Sequence, residues 1–240
     1  MDRRDVSVTL PWMREGSQLF ERLVDGITDD ALRAPSALPD WSRAHVVAHV
    51  ARNAEALTRL ATWARTGVET PMYASREQRA AEIESSAQKP AATLRSELVS
   101  TAVELEAALA KLDADALQAQ VRSALGRAIP AAEVPWMRVR EVWMHAVDLD
   151  AGVTVADIRP GVVDALLDDA AAMLSTKPDC PAARLAPTDR DRTWMLGGQE
   201  DAVELCGPAA DVLGWLVGRS GADRLSTGDG SPVPVPPRWL

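Results

Sequence analysis

Between residues 12 and 150 the apolar side chains recur every three or four positions, and this period narrows the fold more than any other feature. "WMREGSQLFERLVDGI" (12–27) sets Met13, Leu19, Phe20, Leu23 and Ile27 roughly on one stripe. After the Pro- and Ala-rich loop "APSALPD", Asp40 or Ser42 offers an oxygen to cap the next helix. That helix runs to about Ala64, with Val46, Val50, Leu57 and Leu60 on its core side. Gly67 and Pro71 punctuate "RTGVETPMYAS" (65–75), and a shorter helix spans about Arg76 to Ala87. Pro90 opens a long helix to about Leu112, with Leu94, Leu98, Val99, Leu105 and Leu109 at helical spacing. "RSALGRAIPAAEVP" (122–135) reads as irregular or extended, and a fourth main helix runs from near Pro135 to about Asp150. Four long amphipathic helices joined by moderate loops predict a four-helix bundle.

Residues 153–240 change character, with denser Gly and Pro. "PGVVDALLDDAAAMLS" (160–175) reads as helix, then "ARLAPT", "RTWMLG" and "AVELCG" as short strands. Gly197–Gly198 between the last two predicts a tight hairpin. A helix over "AADVLGWLVGR" (209–219) and a Pro-rich tail follow. The chain is therefore expected to be mainly α, with a bundle domain over 1–152 and a small α+β domain over 153–240.

A net charge of −9 argues against nucleic acid and anionic membranes as partners, because both reward clustered Lys and Arg. No run approaches the ~18 apolar residues of a membrane span. The charged N-terminus lacks the apolar core of a secretion signal. A cytoplasmic location is expected, and a monomer is the simplest state. Cys180 and Cys206 are expected to be free buried thiols rather than a disulfide, Cys180 a passive loop residue and Cys206 a small core residue.

All three histidines, His45, His49 and His145, fall in two apolar stretches, "AHVVAHV" (44–50) and "REVWMHAVDL" (140–149). Residues four apart on a helix share a face, so His45 and His49 lie one turn apart, as do Glu141 and His145. Facing helices of a bundle can bring such side chains together on a core metal ion. Two imidazoles and one carboxylate suit a divalent metal such as zinc and leave positions open for water or substrate. Spacing does not decide between His45 and His49. Arg138 can orient Glu141, although a solvated helix position suits it better. Asp148, three residues after His145, is either a partner for the imidazole or a solvated acid. No G-x-S-x-G and no Gly-rich phosphate loop is present, so the sequence offers no convincing protein nucleophile.

The run from "HVVAHVARNAEALTRLATWARTGVETPMYASREQRAAEI" closely resembles the mycothiol-dependent maleylpyruvate isomerases, as does "VPWMRVREVWMHAVDLDAG". The "GR" at 218–219 and the closing "PPRWL" fit the same pattern, and the likeness spans nearly the whole chain. The first domain resembles the DinB-like metal-binding helical bundles. The resemblance implies His49, Glu141 and His145 as metal ligands and leaves His45 outside the set. It implies a functional arginine at Arg219, which by itself reads as a helix-end residue complementing the dipole.

The implied reaction is cis–trans isomerisation of maleylpyruvate to fumarylpyruvate, a step of gentisate breakdown. Mycothiol would supply the thiolate that adds to the alkene, permits rotation and leaves. A divalent metal, zinc by preference, would hold that thiol as thiolate or polarise the substrate carbonyl. Arg219 would grip a substrate carboxylate. Two other functions use the same scaffold: a mycothiol S-transferase that conjugates electrophiles, and a non-catalytic binding or regulatory module.

Overall fold

The computed structural model describes residues 2–239. The Asp5 carboxylate accepts a hydrogen bond from the Ser7 N–H at 3.0 Å and starts α1 (Val6–Gly26). The helix therefore begins before Pro11, earlier than periodicity alone places it. Thr9, Met13, Gly16, Phe20 and Val24 form its buried line. Leu19 and Leu23, expected on that line, are only half-buried at its edge, and Val24 faces the core instead.

A single turn, α2 (Asp29–Arg33), precedes the loop to α3 (Arg43–Thr66). Ser42 caps α3 in a capping box with His45, and Gly67, in the left-handed region at φ 72°, ends it. After α4 (Arg76–Ala87), Pro90 opens α5 (Ala91–Leu109), followed by α6 (Ala114–Gln118). Val99, expected in the core, is 44% exposed, because the buried line of α5 runs through Leu94, Leu98, Thr101, Leu105 and Leu109. The stretch that read as irregular pairs β1 (Gln120–Arg122) antiparallel with β2 (Ala128–Pro130) and leads into α7 (Val134–Asp148).

Helix α3 packs on α5 and α7, and α1 packs on the same two, closing a four-helix arrangement. Helix α4 covers a further side of α3, so α3 is buried around most of its circumference. Leu57, Leu60, Leu94 and Leu105 are fully enclosed. Each such side chain contributes about 1.5–3 kcal/mol of burial.

Chain contacts define two compact units, Asp2–Gly152 and the chain from Val153 onward. In the second, α8 (Pro160–Leu174) leads to β3 (Ala183–Pro187), β4 (Trp194–Leu196), β5 (Val203–Gly207), α9 (Ala209–Leu216) and β6 (Ser226–Thr227). The sheet order is β4-β3-β5-β6. Ala183, Leu185 and Pro187 alternate inward, beneath α8 and α9.

The hairpin expected at Gly197–Gly198 does not form. β3 lies between β4 and β5, antiparallel to the first and parallel to the second. The chain leaving β4 must cross the end of β3. At Gly197 (φ +65°) a Cβ would sit 2.7 Å from the Pro181 carbonyl oxygen, so glycine serves a close crossing rather than a two-residue turn. No helix among the described residues is long and apolar enough to cross a membrane.

Candidate metal centre

His49 projects from α3, and Glu141 and His145 project from one face of α7. Their ligand atoms all lie within 4.8 Å of one another. The Glu141 carboxylate Oε2 is 2.8 Å from His49 Nε2 and 3.3 Å from His145 Nε2. The two imidazoles stand edge-to-face at 90°, with centroids 4.7 Å apart. His145 turns its other nitrogen, Nδ1, to Asp148 Oδ2 at 2.9 Å.

These groups fit a divalent metal. Nε2 of each histidine and one oxygen of Glu141 converge, which is the nitrogen and oxygen donor set that zinc takes. The Asp148 contact is the carboxylate–histidine pairing that fixes a ligating ring. Asp148 is 1% exposed, so of its two sequence readings the imidazole partner holds and the solvated acid does not.

Charge is arranged around this point. Burial pushes the His49 imidazole down to about 4, against the pull of Glu141, so it is neutral at pH 7. Burial also opposes charge on His145, but the Asp148 and Glu141 carboxylates outweigh it and hold the ring up at about 9. Burial acts to raise Glu141 as well, yet hydrogen bonds from His145 and His49 hold its carboxyl well below the usual range.

Arg138 departs from its expected solvated position. It is 1% exposed, and its Nη1 donates to the Val50 carbonyl at 2.6 Å and to Asn53 Oδ1 at 2.9 Å. Burial lowers it to about 10, with Glu141 and Glu21 pulling the other way, so it remains a cation at neutral pH. Because Val50 and Asn53 belong to α3, this guanidinium ties together the two helices that carry the ligand side chains.

His45 points to a different set of partners. Its Nδ1 meets the Ser42 hydroxyl at 2.7 Å, and its Nε2 meets Glu84 Oε2 at 3.0 Å. The ring serves the start of α3 and the link to α4. Trp41 stacks on His45 and stands edge-on to His49, centroids 6.3 and 5.5 Å away. The Trp41 loop is anchored to the end of α7 by Ala37 N–H donating to the Asp148 carbonyl at 2.9 Å.

Two residues beside the triad escaped the sequence reading. The Arg79 Nη2 lies 3.2 Å from His49 Nδ1, and the Arg79 guanidinium sits 5.5 Å from the centre of the Tyr73 ring. A charged residue on a mostly polar helix carries no spacing signal that separates it from a solvated one. In the other unit, Gly218 (φ +71°) and Arg219 close α9. Gly218 N–H donates to the Trp215 carbonyl and Arg219 N–H to the Gly214 carbonyl, the paired bonds of a Schellman cap. The half-buried Arg219 side chain donates to the Val217 carbonyl at 2.8 Å. Cys180 and Cys206 are free and only half-buried, so neither is the buried thiol that was expected. Cys206 lies on a β5 position that alternates away from the sheet's inner face.

Fold and site together define a mainly helical protein with a candidate centre of two histidines and one carboxylate. The chain matches the mycothiol maleylpyruvate isomerase N-terminal domain over residues 13–150 and the MDMPI C-terminal domain over residues 157–238. It belongs to the mycothiol maleylpyruvate isomerase family. A crystal structure of the mycothiol-dependent maleylpyruvate isomerase is similar to it at 34% identity and a TM-score of 0.90, covering 98% of this chain and 97% of that one. A histidine-to-alanine mutant of that isomerase matches at 33% identity, with the same TM-score and coverage. A comparison with curated proteins gives no match.

Proposed function

We propose that the protein isomerises maleylpyruvate to fumarylpyruvate in gentisate degradation, with mycothiol as its thiol cofactor. The observation that carries this reading is the likeness to that isomerase over 98% of the chain, joined to the convergence of His49, Glu141 and His145. In this reading residues 1–152 are the metal-binding domain, DinB-like in type, and residues 153–240 the α+β domain. The enzyme is a cytoplasmic monomer acting on a small molecule.

Mycothiol, when bound, would supply a thiolate for reversible addition to the alkene, the chemistry that lets a double bond become single, rotate and re-form as trans. A divalent metal there, zinc by preference, would keep a coordinated thiol deprotonated near neutral pH. The chain's own residues set the stage for that chemistry. His49, Glu141 and His145 would hold the metal. Asp148 fixes the ring of His145 and keeps its proton on Nδ1, which leaves Nε2 as the donor. Arg138 holds α3 and α7 in register, so that ligands from two helices meet. Arg219, its backbone pinned by the Schellman cap, grips a substrate carboxylate through two N–H groups.

Purified protein incubated with maleylpyruvate should form fumarylpyruvate only when mycothiol is present, and the mycothiol should be recovered unconsumed. Turnover that persists undiminished without a thiol contradicts the mechanism. Stoichiometric loss of mycothiol into an adduct would instead identify an S-transferase.

A further inference from the structure

Arg79 stands out because it is a half-buried cation set directly beside the candidate centre, against His49. Some guanidinium groups of the bundle are paired with carboxylates, Arg52 with Glu97 at 2.8 Å, Arg95 with Asp29 at 2.6 Å and Arg43 with Asp150 at 3.3 Å, whereas others are not. Among the described residues Arg79 forms no ion pair. Its contacts are the His49 ring nitrogen and the face of the Tyr73 ring. The aromatic ring is itself held. Arg59 lies 6.0 Å from its centre and donates through Nε to the Met72 carbonyl at 3.0 Å, while Thr70 Oγ1 donates to the Arg59 carbonyl at 2.8 Å. A half-buried cation on a braced aromatic platform, next to a candidate ligand and unpaired, suits an anion that arrives from outside the chain.

The contact with His49 strengthens the argument. Arg79 can donate to Nδ1 only while that nitrogen offers a lone pair. An imidazole that ligates through Nε2 carries its proton on Nδ1 and becomes a donor there. Two donors then face each other, and the guanidinium must find an acceptor elsewhere. A carboxylate oxygen is the acceptor it matches best.

We infer that Arg79 is a substrate-binding residue that takes one carboxylate of a dicarboxylate held at the His49–Glu141–His145 centre, with Tyr73 and Arg59 fixing its position. This rests on the maleylpyruvate reading, whose substrate has two carboxylates to satisfy.

The test uses Arg79→Gln and Arg79→Lys in the full-length, zinc-loaded protein. Zinc content is measured first. The dissociation constant of maleylpyruvate is then measured by calorimetry without mycothiol, so that nothing turns over. Arg79→Gln should retain wild-type zinc and bind maleylpyruvate about 10- to 100-fold more weakly, the scale of a lost charge-assisted pair. Arg79→Lys should recover part of that loss. With mycothiol added, the change should appear mainly in KM. Wild-type affinity in Arg79→Gln overturns the inference, as does a loss that only tracks missing zinc, or a wild-type protein that does not bind maleylpyruvate. Wild-type turnover with mycothiol separates the two ideas. If the wild-type protein isomerises while Arg79→Gln binds normally, the function stands and the Arg79 role falls. If it binds maleylpyruvate through Arg79 without isomerising it, the reverse holds.

Discussion

His145 shows how single residues set the chemistry of the centre. Its ring lies between Glu141 and Asp148, with a pKa near 9 against 6.5 for an unperturbed histidine. A raised folded value means the charged ring stabilises the fold fully below pH 6.5 and progressively less as pH rises through 9. The contribution is on the order of 3 kcal/mol at most, from about 1.4 kcal/mol per pKa unit. The lowered His49 acts in a different window, between about 4 and 6.5, where falling pH is unfavourable. Metal-stripped protein should therefore melt several degrees lower at pH 9.5 than at pH 6.5 in thermal scans. His145→Asn should flatten that dependence, and an equal slope in both proteins would contradict the assignment. At this scale the sequence was legible where spacing carries the information. Residues 141 and 145 share a helix face by arithmetic, as do 45 and 49. The neighbours of those residues were not legible. Arg138 becomes a buried tie because α3 presents the Val50 carbonyl and Asn53 to it, and no local pattern in α7 encodes that partner.

At the scale of elements, helices with a strong apolar period were readable and strand partners were not. The stretch 76–87 is helical as its pattern predicts. β4 and β5 also form where expected, but the pairing that looked local is taken by β3, from earlier in the chain. Strand neighbours are chosen by which faces bury together, and Leu185 and Leu205 meet in register across the parallel pair. Helix ends carry a second kind of signal. Gly218 has the positive φ of a Schellman cap, and the next residue is Arg219. Gly218→Ala puts a side chain where the left-handed region disfavours it and should cost about 1 kcal/mol. If Arg219 grips substrate, the variant should also lose isomerase activity while keeping its metal. A variant with a lowered melting temperature and wild-type kinetics would show that the cap matters to stability alone. The α1–α7 contact has a comparable demand: a Cβ at Gly16 would come within 2.5 Å of Val142 Cγ2 and 2.7 Å of Trp143 Nε1. That glycine lets α1 approach the helix that bears Glu141 and His145.

At the scale of the molecule, a four-helix arrangement brings side chains separated by nearly a hundred residues to one point, while a small mixed sheet with its own helices carries Arg219. Family membership spans both units. The account's central claim is narrower than that likeness: His49, Glu141 and His145 together hold one divalent metal. The most direct test is the metal content of the gently purified protein and of His49→Ala and Glu141→Ala, read by elemental analysis alongside circular dichroism. The account predicts close to one zinc or similar divalent ion per chain in the wild type and its loss from both variants, with helical content unchanged. Folded variants that keep wild-type metal would contradict it.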